Sequence, residues 1–181
     1  MSSLADSLVT WEEFLRLPER PENGIRYELH DGEVVIVPAP RPRHVKVQKR
    51  TERLMETLVD EQTFVVMLEF PYRPALNLQY WVADVACVRR AEWDALPPDQ
   101  WPVSAPALIV EVLSPSNTPA KVSRQRVNAI SGGTQEFWVV DADKRTVLVT
   151  DLSGTKLYGE GDTIVSAVLG GSIAVAAIFA V

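Results

Sequence analysis

Apolar positions recur along this chain in two rhythms, and the places where one gives way to the other outline its elements. Thr10 stands before WEEFLRL, with Glu12 and Glu13 in the first turn; this predicts a capped helix ended by Pro18 and Pro21. In IRYELHDGEVVIVPAP, the segments Tyr27 to Leu29 and Glu33 to Val37 flank the turn Asp31-Gly32 and predict a hairpin. PAPRPR, Pro38 to Arg43, reads as a rigid connector. Val47, Leu54 and Leu58, with Thr51 and Met55 near the same face, predict an amphipathic helix of about 16 residues.

TFVVMLEFPYRP and YWVADVACVRR are rich in β-branched and aromatic residues and predict strands. AEWDALPPDQWPVSAP is a polar, proline-broken loop with one helical turn. ALIVEVLS is a continuous apolar run of the kind found in central strands. TPAKVSRQRVNAISGG predicts a helix with Pro119 at its start and Gly132-Gly133 as its stop. EFWVVDADKRTVLVTDL predicts two strands around a turn at Asp141 to Lys144, and short strands follow. The apolar tail GGSIAVAAIFAV is too short to cross a bilayer, which takes about 20 residues; it reads as a terminal strand or short helix on the core. The order predicts an α/β or α+β domain with a mixed central sheet flanked by helices.

The totals narrow this picture without redirecting it. A length of 181 residues suits one domain over 1–181, and the hydrophobic and charged fractions, 46% and 23%, are ordinary for a globular protein. The net charge of -6 excludes a surface coated with basic residues but leaves room for a local basic groove. One cysteine, Cys87, rules out an intrachain disulfide framework and a cysteine-rich zinc site; it is expected as a small core residue. A reducing cytoplasm is the expected home, since the first residues lack the pattern of a secretory leader.

Candidate chemistry begins with two carboxylates set inside strand patterns, Asp84 in WVADVACV and Glu111 in LIVEVLS. A buried ionised carboxylate is costly unless something pairs with it or binds it. Two acids on adjacent strands would make an oxygen-rich site for a hard ion such as Mg²⁺. The plainer alternative is internal pairing, of Asp84 with Arg89 or Arg90 and of Glu111 with Lys121 or Arg124. The two histidines lack the HExxH spacing of a zinc hydrolase. His30, beside the hairpin turn, is expected at the surface. His44 opens the second helix, where exposure is the default and a functional role the alternative. LSPSN lacks the G-x-S-x-G pattern, so Ser114 and Ser116 are expected to turn the chain and cap a helix. RPRHVKVQKRTER and KVSRQR concentrate basic residues. Solvation of helix faces accounts for each cluster, but both could follow a phosphate backbone if they border the acidic site.

Taken together, YELHDGEVVIVPAPRPRH, VADVACV, LIVEVLSPSN and GGTQEFWVVDADKRTVLV resemble, in order and spacing, the Uma-two family of bacterial restriction-endonuclease-like proteins with the PD-(D/E)XK nuclease fold. The resemblance implies a restriction-endonuclease-like core that hydrolyses DNA phosphodiesters with Mg²⁺ or Mn²⁺. It places Asp84 and Glu111 on the metal, joined by the backbone carbonyl of Val112, with Glu28 and His44 at the rim. Two departures stand out. The proline of the PD half-motif is Ala83, and the lysine that the family carries on the following helix is Gln125. Lys121 stands one turn before Gln125, where the family has an acid, and Ala129 one turn after it, where the family has a tyrosine. Lys121 and Gln125, four apart on one helical face, are therefore the candidates to assist. The alternative is a degenerate site on a non-catalytic binding or assembly module. The expected unit of function is a homodimer on DNA, with the apolar tail as one candidate surface between subunits.

Overall fold

Each element begins or ends where the local chemistry requires. The computed structural model describes residues 8–18, 25–115 and 117–180, so Pro21 and Ser116 lie outside the described residues. Helix α1 (Trp11–Phe14) opens with a capping box, in which Thr10 and Glu13 satisfy each other's backbone N–H groups. It is shorter than the pattern predicted, because only Phe14 among its residues is buried to hold it. Strands β1 (Arg26–His30) and β2 (Glu33–Val37) form the expected hairpin. Asp31 and Gly32 between them have φ of 53° and 84°, the left-handed pair that a tight hairpin turn demands.

Helix α2 (Pro42–Glu56) starts earlier than expected, taking Pro42 and Arg43 from the connector. Proline suits a first helical position, where its missing N–H costs nothing. Strands β3 (Phe64–Tyr72) and β4 (Gln79–Arg89) pair antiparallel and lead to the one-turn helix α3 (Arg90–Asp94). Strand β5 (Leu108–Val112) is buried along its whole length. Thr118, not Ser114, caps helix α4 (Pro119–Ser131); Ser114 instead bonds to the Asn117 side chain in the preceding turn. Strands β6 (Glu136–Asp141) and β7 (Thr146–Asp151) follow as predicted, then β8 (Gly154–Tyr158), β9 (Thr163–Ser166), β10 (Gly171–Ala174) and helix α5 (Val175–Ile178).

The main sheet has eight strands in the order β2-β1-β4-β5-β6-β7-β8, with β3 also paired to β4; β9 and β10 make a separate ribbon. The β5–β6 pair is parallel and needs the α4 crossover, while the other pairs are antiparallel. One side of the sheet packs on α2 and α5, through Val47, Met55, Val175 and Ile178. The other packs on α4, through Ala129 and Val122. The expected mixed sheet flanked by helices is present. Cys87 is in the core, as predicted. The apolar tail supplies both a strand and a helical turn, and Ile173, Val175 and Ile178 are buried within their own chain. Those large apolar side chains are spent on the chain's own core. Among the described residues, no helix is long and apolar enough to cross a membrane.

Candidate metal centre and active site

The site forms where the sheet breaks its own pattern. Strand β3 pairs with β4 through Leu68–Val85 and again through Phe70–Ala83, and the rung between them is missing. Glu69 and Asp84 face each other across that gap. Glu69 has φ of 49°, a left-handed conformation that is uncommon away from glycine. The break also switches faces. Val66 and Leu68 pack on the α2 side, whereas Phe70 and Tyr72 pack on the α4 side. In β4, Trp81 and Ala83 lie on the α4 side, and Val85 and Cys87 on the α2 side. Simple alternation would have kept each set on one face.

The pairing of β4 with β5 stops at the same level. Val85–Val110 is its last rung; the next would join Asp84 to Glu111. The strands part instead, and one Asp84 carboxylate oxygen accepts the Val112 N–H at 2.7 Å. Glu69, Asp84 and Glu111 thus stand in one row across three neighbouring strands. Like charges directly opposed destabilise a sheet. A row of three, with Asp84 and Glu111 buried and Glu69 exposed at its end, is the kind of local conflict that marks a functional site.

The flanking elements hold this row. From α2, the His44 Nε2 meets the other Asp84 oxygen at 3.1 Å, and Gln48, one turn on, donates to the Asp84 carbonyl at 2.8 Å and to Glu69. From β1, Arg26 pairs with Glu69 and, at 3.3 Å, with Glu28. From α4, the Gln125 amide donates to Glu111 at 2.6 Å. Lys121 reaches Glu28 at 3.7 Å. The cleft between these elements encloses about 290 Å³ and is lined by Glu28, His44, Glu69, Asp84, Glu111, Lys121 and Gln125 among others. Of the residues expected from the sequence, only Val112 is not on that lining; it enters through its N–H on Asp84.

Among the described residues, Asp84 does not pair with Arg89 or Arg90, nor Glu111 with Lys121 or Arg124; Asp84 meets His44 instead. Arg89 pairs with Glu92, Arg90 with Asp94, and Arg124 with Asp31 and Glu33. Among the described residues, Glu111 has no cation within ion-pair distance, and the side chain that bonds to it is a neutral amide. Burial, then repulsion from Asp84 and Glu28, raises its carboxyl well above the ordinary range. Glu28 goes the other way: burial opposes its charge, but the bond to His30 and the nearby Arg26 and Lys121 hold its carboxyl below the usual value. Burial also opposes charge on His44, but the Asp84 bond and charge outweigh it and raise the imidazole.

Two residues differ from expectation. His30 is fully buried rather than exposed. Its strand pairs with β4 at Gln79, its ring stacks on Trp81 with centroids 3.4 Å apart, and its Nε2 meets Glu28 at 2.7 Å. Nearness to a turn said nothing of what covers that turn. Sequence reasoning missed Glu69, although it interrupts VVMLEFPYRP just as Asp84 and Glu111 interrupt their runs. His44, Glu69 and Asp84 each bring a ligand atom within 4.8 Å of the others, a group that could hold a metal ion.

The comparison with known families decides the affiliation. A family model described as "Uma2: Putative restriction endonuclease" matches residues 11–176. The chain belongs to the Uma2 family. Among solved structures, this Uma2 chain is similar to a crystal structure described as a "putative nuclease belonging to DUF820 from Anabaena variabilis". The likeness has a TM-score of 0.81 at 20% identity and covers 94% of this chain and 97% of that one, which establishes the shared fold. No curated protein matches the Uma2 chain significantly.

Proposed function

We propose that this Uma2 protein is a divalent-metal-dependent endonuclease that hydrolyses phosphodiester bonds in DNA. The observation that carries the reading is the row of Glu69, Asp84 and Glu111, in which Glu111 is buried against an amide with, among the described residues, no cation in ion-pair reach. Oxygen donors on adjacent strands suit Mg²⁺ or Mn²⁺. Asp84 and Glu111 would hold the ion, with the Val112 carbonyl as the third donor that the family resemblance implies. When bound, such an ion neutralises phosphate charge and makes water a better nucleophile.

The chain's own residues have separable tasks. His44 and the Val112 N–H each fix one oxygen of Asp84. Gln125 orients Glu111. Lys121, with its side chain 16% exposed on the cleft wall, presents a positive charge to an incoming phosphate, while Glu28, on the same wall, holds it at 3.7 Å. Arg41 and Arg43 line the same cleft, and Lys49 lines the adjoining one, so basic residues of the α2 segment border the acids. That arrangement suits a phosphate backbone, whose binding rests on charge rather than on sequence. A homodimer belongs to the same reading, since two symmetry-related sites match the two strands of a duplex.

The experiment is nicking of supercoiled plasmid with Mg²⁺ or Mn²⁺, run beside calorimetric titration of the same ions, on the wild type and Glu111→Gln. Glutamine keeps an acceptor for Gln125. Nicking that chelator abolishes and the variant lacks is expected; equal nicking by both proteins would overturn the proposal. Sedimentation with and without DNA tests the dimer. Gln125 in place of lysine favours a second reading, a non-catalytic module that keeps the nuclease fold. That module would bind no Mg²⁺ at millimolar concentration, and its DNA binding would be indifferent to chelator.

A further inference from the structure

We propose that His44, Glu69 and Asp84 form a cation subsite of their own, selective for a first-row transition-metal ion over Mg²⁺. It deepens the reading above by adding ligands and an ion class to the same cleft, and shares only Asp84 with the pair already assigned. Three separate elements, α2, β3 and β4, bring their ligand atoms within 4.8 Å of one another. Glu111 is not part of this group; it lies on the far side of Asp84 and bonds to α4.

The donor set decides the ion. Mg²⁺ takes oxygen ligands and gives up its waters reluctantly. An imidazole nitrogen suits Zn²⁺, Fe²⁺ or Ni²⁺ better, and carboxylates complete the set; Mn²⁺, which favours oxygen donors but also takes imidazole, serves as the paramagnetic probe. His44 is placed for this role. Its Nε2 lies on Asp84, and its Nδ1 is buried without a hydrogen-bond partner among the described residues. The carboxylates are held ready as well. Gln48 and Arg26 each engage one oxygen of Glu69, and Gln48 also grips the backbone of Asp84. Outer partners of this kind fix metal ligands in orientation. The left-handed backbone at Glu69 sets its carboxylate opposite Asp84, where regular pairing would have continued the sheet.

The test uses the full chain with Mn²⁺ and Mg²⁺ as probes. Calorimetry measures both affinities, and pulsed electron paramagnetic resonance of bound Mn²⁺ looks for coupling to an imidazole ¹⁴N. Variants are His44→Gln, Glu69→Gln and Glu111→Gln, each checked by thermal melting. Glutamine at 44 keeps a donor for Asp84, and glutamine at 69 keeps the shape but only one of the two acceptor oxygens that Gln48 and Arg26 now engage. The wild type should bind Mn²⁺ at least about tenfold more tightly than Mg²⁺ and show nitrogen coupling. His44→Gln should lose the coupling and at least about tenfold in Mn²⁺ affinity, a larger fall than in its Mg²⁺ affinity. Glu69→Gln should weaken Mn²⁺ similarly, and Glu111→Gln should keep the nitrogen signal. Equal affinities for the two ions, or bound Mn²⁺ without nitrogen coupling, would overturn the subsite. Nitrogen-coupled Mn²⁺ in a protein that nicks no DNA would uphold the subsite and refute the nuclease. Mg²⁺-dependent nicking without nitrogen coupling would do the reverse.

Discussion

Replacing Gln125 with lysine supplies the residue type that the family resemblance implies at this position, at a place where the structure sets the expected energy. The new ammonium would take over the 2.6 Å contact that the amide now makes with Glu111. At that separation an effective dielectric of about 20 gives roughly 6 kcal/mol of attraction. Against that stand the several kcal/mol of removing the ammonium from water and the cost of ionising Glu111, whose burial already favours its neutral form. The terms nearly cancel, so Gln125→Lys should change stability by no more than about 2 kcal/mol. For a chain of this size that is a melting shift of under about 8 °C. The gain should appear in chemistry, because a fixed charge aimed at the reacting group is worth about 10² to 10³ in rate. Plasmid nicking at saturating Mg²⁺, paired with a thermal melt, reads both quantities. A folded Gln125→Lys protein that cuts no faster than the wild type would refute the idea that the amide limits activity.

Three further outcomes follow from the same contacts. Lys121→Gln should lower nicking by about 10²-fold while metal affinity holds, measured by the same nicking and calorimetric titrations. Thr118→Ala removes the side-chain cap on the Lys121 N–H and should cost about 1 kcal/mol in a denaturant melt, loosening the helix that carries Lys121 and Gln125. The third concerns pH. Burial, opposed by the Glu28 bond, lowers the His30 imidazole below its ordinary value. The unfolded chain therefore takes up a proton near pH 6.5 that the folded chain does not, so this residue's contribution to stability falls as pH drops below about 6.5 and levels off below the folded value. Denaturant melts of the wild type and His30→Gln across that range should differ in slope with this sign.

Local pattern carries the reading of the elements, and long-range pairing marks its limit. The turn Asp31-Gly32, the helix start at Pro119 and the stop at Gly132 are chemical signals contained in a few residues, and the structure follows them. Asp84 and Glu111 are visible because an acid in an apolar run is conspicuous wherever it falls. Glu69 sends the same signal in a strand of weaker burial, and its importance depends on a register with β4 that no local pattern encodes. His30 shows the complementary failure. Its position beside a turn suggests solvent, but Trp81 and Gln79, distant along the chain, close over it. Arg124 likewise finds its partners, Asp31 and Glu33, far along the chain, whereas Arg89 and Arg90 pair locally with Glu92 and Asp94. The departure at Gln125 that the resemblance implies is legible in sequence, yet only the structure shows Lys121 on the cleft wall beside Glu28.

The left-handed backbone at Glu69 has a consequence for any laboratory selection applied to this protein. Glycine adopts a φ of 49° freely, whereas another residue there gives up roughly 1 kcal/mol. A library sorted only for survival at high temperature should therefore enrich Glu69→Gly wherever the lost contacts to Arg26 and Gln48 weigh less than that strain. The survivors would hold their shape and lose a carboxylate from the cleft. Heat resistance and metal occupancy would then pull position 69 in opposite directions, and a screen that scores both would show which of them has kept glutamate there.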